Sequence, residues 1–119
     1  MNEPANGAIA VIEEFWRRQN GGDYTLTADL FSEDAVLVDP YFGTFEGREA
    51  IRAFMAQMVK EMGNRQTRFE VQEIAGAGDV AWAQWVAHTP DGPVNGCGLY
   101  RVRDGEMTYY KDYMNPQGR

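Results

Sequence analysis

The sequence predicts an α+β domain, with helices first and an antiparallel sheet packed against them afterwards. Two observations carry this. The apolar period changes from helical to strand-like at about Thr67, and short turn signals separate the segments beyond it: Gly76-Ala77-Gly78, Pro90-Asp91-Gly92-Pro93 and Asp104-Gly105. Helices followed by a meander of strands imply a sheet with its helices on one face. The 119 residues hold no repeat, linker or low-complexity run, so residues 1–119 form one domain with room for one core and one cavity.

The first helix is expected over Ala8–Asn20, where Ile9, Ile12 and Phe15/Trp16 recur at helical spacing and Glu13, Arg17 and Arg18 fall on other faces. Asn20-Gly21-Gly22-Asp23 should stop it, because glycine takes the left-handed cap conformation cheaply. A short second helix over Tyr24–Phe31 carries Leu26, Leu30 and Phe31, and Ser32-Glu33-Asp34 breaks it. The first strand, Ala35–Asp39, runs into a turn at Pro40. In the third helix Ile51, Phe54, Met55, Met58, Val59 and Met62 form one apolar stripe. Glu46 and Glu49 near its start suit the helix dipole, and Gly63-Asn64 should end it. The remaining strands are expected at Arg68–Ala75, Asp79–Thr89, Val94–Arg103 and Glu106–Met114.

Composition narrows the partners. The 44% of apolar residues exclude a wholly disordered chain, and a net charge of −7 argues against nucleic acid and anionic membranes. No apolar run approaches the roughly 20 residues needed to span a bilayer. Met1 to Gly7 lacks a basic region followed by an apolar run, so no signal peptide is visible. Cys97 is the single cysteine, which suits a reducing compartment; the expectation is a cytoplasmic protein whose partner is a small molecule. One His and one Cys cannot make an ordinary zinc site, and no Gly-rich phosphate loop follows a strand. Neither a metal nor a cofactor is implied.

Alternation assigns side chains to faces. Tyr110, Asp112 and Met114 share one face of the last strand, opposite Tyr109, Lys111 and Tyr113. Gly96, Gly98 and Tyr100 share a face, the glycines leaving room on the concave side, and Leu37 goes with Asp39. Trp82, Gln84, Val86 and His88 line up opposite Ala81, Ala83, Trp85 and Ala87. With the first set taken as inward, the pocket is walled by Trp82, Tyr110, Phe15, Leu37 and Met55, with Gln84 and His88 orienting a ligand. Trp85, Tyr109 and Tyr113 then face out as a surface for a homodimer. Cys97 reads as a buried small hydrophobe.

Two aspartates stand out. Asp39 before Pro40 is either a turn starter or a pocket base. Asp112 sits on an aromatic-flanked strand, where burial of a lone carboxylate is costly. If both face one cavity, one should titrate high and hold a proton near neutrality.

Phe31-Ser32-Glu33-Asp34-Ala35, Gly47-Arg48-Glu49-Ala50-Ile51 and the closing Lys111-Asp112-Tyr113-Met114-Asn115 resemble the SnoaL-like branch of the nuclear transport factor 2-like superfamily. The resemblance spans roughly residues 8 to 116. It implies a cone, a strongly curved antiparallel sheet wrapped against three helices with a deep pocket, and homodimers through the outer face of the sheet. The superfamily includes ketosteroid isomerase, limonene epoxide hydrolase and the SnoaL polyketide cyclases. Asp39-Pro40 matches the isomerase base, but the two oxyanion donors fall on Phe15 and near Gly98. Asp112 matches the water-activating Asp of the epoxide hydrolase, whose other site positions hold Leu37, Asp39, Gln84 and Val86. The single acid/base Asp of the cyclases can be met by Asp112. The implied function is cofactor-free acid/base chemistry on a largely apolar substrate, catalysed by Asp112 and Asp39. The alternative is a non-catalytic ligand-binding or dimerisation module.

Overall fold

A computed structural model describes residues 7–21, 24–62 and 68–114. The chain runs through α1 (Ala8–Asn20), a 3-10 helix (Tyr24–Leu30), β1 (Phe31–Asp39), β2 (Gly43–Glu46), α2 (Arg48–Met62), β3 (Arg68–Ala77), β4 (Val80–Thr89), β5 (Gly92–Arg103) and β6 (Glu106–Met114). The six strands form one sheet in the order β2-β1-β6-β5-β4-β3. The architecture is α+β, with α1 laid across β3 to β6 and α2 against β1, β2 and the 3-10 helix.

Three features depart from the expectation. The second helix is a 3-10 helix, and Phe31 belongs to a first strand that starts four residues early. A short strand, β2, occupies what reads as a turn, because Tyr41 and Phe42 reverse the chain so that Val38 pairs with Thr44. The sheet is also not antiparallel throughout: β1 runs parallel to β6, joined through long connections.

Helix ends follow local chemistry. Arg17 and Arg18 in the last turn of α1 suit the dipole, and Arg18 Nε bonds Glu14 Oε2 at 2.6 Å. Gly21 caps the helix in the right-handed conformation, φ −76°, rather than the left-handed one. Its N–H donates to the Arg18 carbonyl at 3.1 Å. The expected stop of α2 at Gly63-Asn64 lies outside the described residues, as do Gly22-Asp23 and Asn115. Gly47, at φ +97°, turns the chain from β2 into α2 while its N–H donates to the Ala35 carbonyl at 2.7 Å.

Bulges decide which side chains face inward. On β6, Met107 pairs with Val102, yet Tyr109 pairs with Arg101, so Thr108 is an extra residue. Both Met107 and Tyr110 are therefore buried, three positions apart instead of an even number. Beyond the bulge Tyr110 lies opposite Tyr100, and Asp112 opposite Gly98. The core between sheet and helices is aromatic. Phe15 meets Tyr110 edge-on at 5.3 Å and Phe31 at 6.3 Å, while Tyr100 and Tyr110 lie 4.5 Å apart.

Candidate functional site

Between the concave face of the sheet and the helices lies a cavity of about 280 Å³, at the small end of the roughly 300–1,000 Å³ range of ligand pockets. α1 contributes Phe15, Trp16 and Gln19, and α2 contributes Phe54, Met55 and Met58. The sheet supplies Leu37 and Asp39 from β1, Phe69 from β3, Trp85 from β4, and Tyr110 and Asp112 from β6; Tyr41 and Phe42 reach in from the β1–β2 turn.

The parallel pairing of β1 and β6 brings the two aspartates together. Leu37 is in register with Tyr110 and Val38 with Lys111, so one step further Asp39 stands beside Asp112. Both line the same cavity. Asp39 is 7% exposed, and its Oδ1 accepts the N–H of Tyr41 at 2.8 Å and of Phe42 at 3.0 Å. It is a turn device and a cavity carboxylate at once. Asp112 keeps some surface as a residue, but its Oδ1 is shut off from solvent and has no hydrogen-bond partner. Burial raises its carboxyl to about 8; the neighbouring Tyr110 hydroxyl draws it back, and the charge of Asp39 pushes it up. Burial, and after it the Asp112 charge, raises the Tyr100 and Tyr110 phenols well above their usual value.

Further polar atoms on the lining residues are buried without a protein partner: Trp85 Nε1 and Gln19 Oε1. Such atoms are costly unless something meets them.

Phe15, Leu37, Met55 and Tyr110 stand on this cavity, as the sequence suggested; Trp82, Gln84 and His88 do not. The inward face of β4 is the other one. Trp85 is 3% exposed and Ala81, Ala83 and Ala87 are buried, whereas Trp82 is 43% exposed. The small alanines let α1 approach, and α1 does pack on β4. Trp82 and Gln84 instead line a shallow depression on the outer face with Cys97 and Tyr113. His88 bonds Glu70 across β3 and β4 at 2.9 Å. The assignment of Trp85 to an outward dimer surface is thereby corrected, and Cys97 is a partly exposed outer-face residue, not a core one. Burial, with a contribution from Asp112, raises its thiol.

The sequence held a signal for this. An even-numbered loop between β4 and β5 pairs odd residues with even ones, and Trp85 pairs with Gly96. A Cβ on Gly96 would come within 2.5 Å of the Trp85 ring, and one on Gly98 within 2.9 Å of the Tyr110 ring and the Tyr100 hydroxyl. The room left by the glycines is filled by aromatic rings. Trp16, Gln19 and Phe42 were not legible as lining residues, since helix and turn rotation set their directions, and Phe69 depends on which side of β3 faces α1.

Among the described residues no group of three His, Cys, Asp or Glu could hold a metal ion, and no helix is long and apolar enough to cross a membrane.

Fold and site together define a class: an α+β fold whose sheet and helices flank an apolar, acid-bearing cavity. Residues 12–110 match the SnoaL-like domain model, and the chain belongs to that family. No curated protein matches it. Among solved structures it is similar to an NTF2-like protein of unknown function from Cytophaga hutchinsonii (18% identity, 98% of this chain and 95% of that one, TM-score 0.75). It is also similar to a hypothetical protein with a ketosteroid isomerase-like fold from Catenulispora acidiphila, in complex with trimethylamine (24% identity, 87% and 83%, TM-score 0.75). A third is SalBIII, an epoxide hydrolase/cyclase-like enzyme of pyran ring formation in the polyether salinomycin (18% identity, 88% of each chain, TM-score 0.72). At these identities the likeness concerns the fold.

Proposed function

We propose that this protein binds a small, largely apolar molecule in the cavity and carries out cofactor-free acid/base chemistry on it, acting as a cytoplasmic homodimer. Asp112 is the proton-transfer group and Asp39 its partner. One observation supports this above the others: a carboxyl with an unpartnered oxygen, in an aromatic cavity, with a pKa of about 8. A group that titrates near the working pH serves as acid and as base with similar ease. Protonated Asp112 gives its proton to a carbonyl or epoxide oxygen as that oxygen gains charge. The carboxylate left behind takes a proton from the attacking carbon or hydroxyl, which restores the acid. Ring closure within one substrate needs only that single carboxyl, so a cyclase fits better than an isomerase, whose oxyanion donors have no counterpart at Phe15 and Gly98. An epoxide-hydrolase type would need a second acid to protonate the epoxide oxygen, and Asp39, whose charge raises Asp112, does not supply it.

A second reading, a non-catalytic ligand carrier, draws on the turn bonds of Asp39, which occupy its Oδ1. The deciding experiment traps the ligand from a cell extract on the purified protein and follows its conversion. Conversion by the wild type and its loss in Asp112→Asn, with ligand still bound, fits the enzyme. A ligand recovered unchanged from the wild type leaves the carrier.

A further inference from the structure

The cavity holds two acids and many aromatic rings, and none of its described lining residues is Lys, Arg or His. Four basic side chains are engaged elsewhere. Lys111, between Tyr110 and Asp112 in sequence, lies over the ring of Tyr113 at 5.1 Å. Arg18 pairs with Glu14, Arg52 with Asp29, and His88 with Glu70. Two adjacent carboxylates in an apolar space without a counter-ion repel each other and are poorly solvated.

The free polar atoms point the same way. Asp112 Oδ1 and Gln19 Oε1 are both acceptors, buried and unpartnered; Gln19 is 9% exposed. The rings around them form two groups. Trp16, Phe69 and Trp85 lie 5.4 to 5.9 Å apart pairwise, and Phe42 lies 5.7 Å from Phe54. Aromatic walls with carboxylates suit a positive charge, because ring faces attract a cation even where water is excluded. At neutral pH Asp112 holds its proton in the empty cavity; a cation among these groups would pair with the Asp39 carboxylate and stabilise that of Asp112, releasing the proton to solvent.

We infer that the ligand of this cavity carries a positive group, a protonated amine or a quaternary ammonium, held by Asp39, Asp112 and the aromatic walls. The indole N–H of Trp85 calls in addition for an acceptor atom on the same ligand, such as a hydroxyl. A charged ligand presupposes the reading of the cavity as a small-molecule site given above, but not that chemistry occurs there.

The test titrates the full chain with choline and with its neutral isostere 3,3-dimethyl-1-butanol, read by tryptophan fluorescence and calorimetry at neutral pH. Both molecules carry the same hydroxyl and shape and differ in charge alone. Choline should bind at least about tenfold tighter than the alcohol. The gap should persist in high salt, which screens attraction to the acidic surface. It should close in Asp112→Asn and Asp39→Asn while alcohol binding remains, two variants guarding against one that fails to fold. Equal or tighter binding of the alcohol overturns the cationic ligand and leaves the cavity as a ligand site. If neither binds, the cationic ligand is overturned and 1-naphthol judges the site: binding keeps it, and no binding overturns both.

Discussion

Asp39 and Asp112 are the same residue type at the ends of neighbouring strands, on one cavity, yet their surroundings differ. Asp39 spends Oδ1 on the backbone N–H groups of Tyr41 and Phe42 and so fixes the β1–β2 turn. Asp112 stands across from Gly98 with no donor for Oδ1 and the charge of Asp39 beside it. The difference teaches that cavity position alone does not make a proton-transfer group. What counts is whether backbone donors have already claimed the carboxylate.

The comparison breaks most sharply at turnover. Asp112→Asn should lower conversion of the trapped ligand by roughly 10²–10⁴-fold, with the fold intact by circular dichroism. Retained conversion would take the chemistry away from Asp112.

Stability against pH is the next largest effect. Burial holds the folded carboxyl of Asp112 at about 8, against 3.8 for an exposed aspartate. Between those values the folded chain holds the proton and the unfolded chain releases it, so this group's contribution is full at low pH and is lost as pH rises through the folded value. The slope is about 1.4 kcal/mol per pH unit. Asp112→Asn should therefore flatten the fall of unfolding free energy with pH and gain stability over the wild type on the alkaline side. Parallel denaturation curves for the two proteins at every pH would deny that Asp112 is buried as a protonated acid.

Asp39 should behave as the other member of the contrast. Asp39→Ala removes the acceptor for two N–H groups and should cost about 1–2 kcal/mol in denaturant unfolding. Asp39→Asn keeps an acceptor oxygen but removes the charge that raises Asp112. The Asp112 midpoint, followed by carboxyl carbon NMR, should then move down from about 8; an upward shift would contradict the pairing. The smallest effect belongs to Gln84→Ala, on the outer face of β4. It should change stability by less than about 0.5 kcal/mol and leave cavity binding untouched. Altered binding would mean that β4 turns the other way.

Much of the frame was legible in the sequence. The stripe of α2 buries Ile51 and Met55 fully and Phe54, Met58 and Val59 in part, and beyond the bulge Tyr110, Asp112 and Met114 share the cavity face as the alternation has them. β2 was missed because four residues after a Pro turn carry no period of their own, and they pair only because β1 is there. The outward faces of Trp82 and Gln84 were missed because alternation says which residues share a side, not which side faces the helices.

The sequence by itself determined the α+β order, the acidic and aromatic character of the chain, and the sharing of one face by Tyr110 and Asp112. These depend on local spacing, which the chain carries in every context. The tertiary structure alone decided that β1 lies parallel to β6, which sets Asp39 beside Asp112. It also decided that a bulge at Thr108 carries Asp112 to the face of Gly98 and Tyr100. A shift of one residue moves every side chain beyond it to the opposite face. The placement of this carboxyl in the cavity is therefore a property of strand pairing, which no single strand encodes.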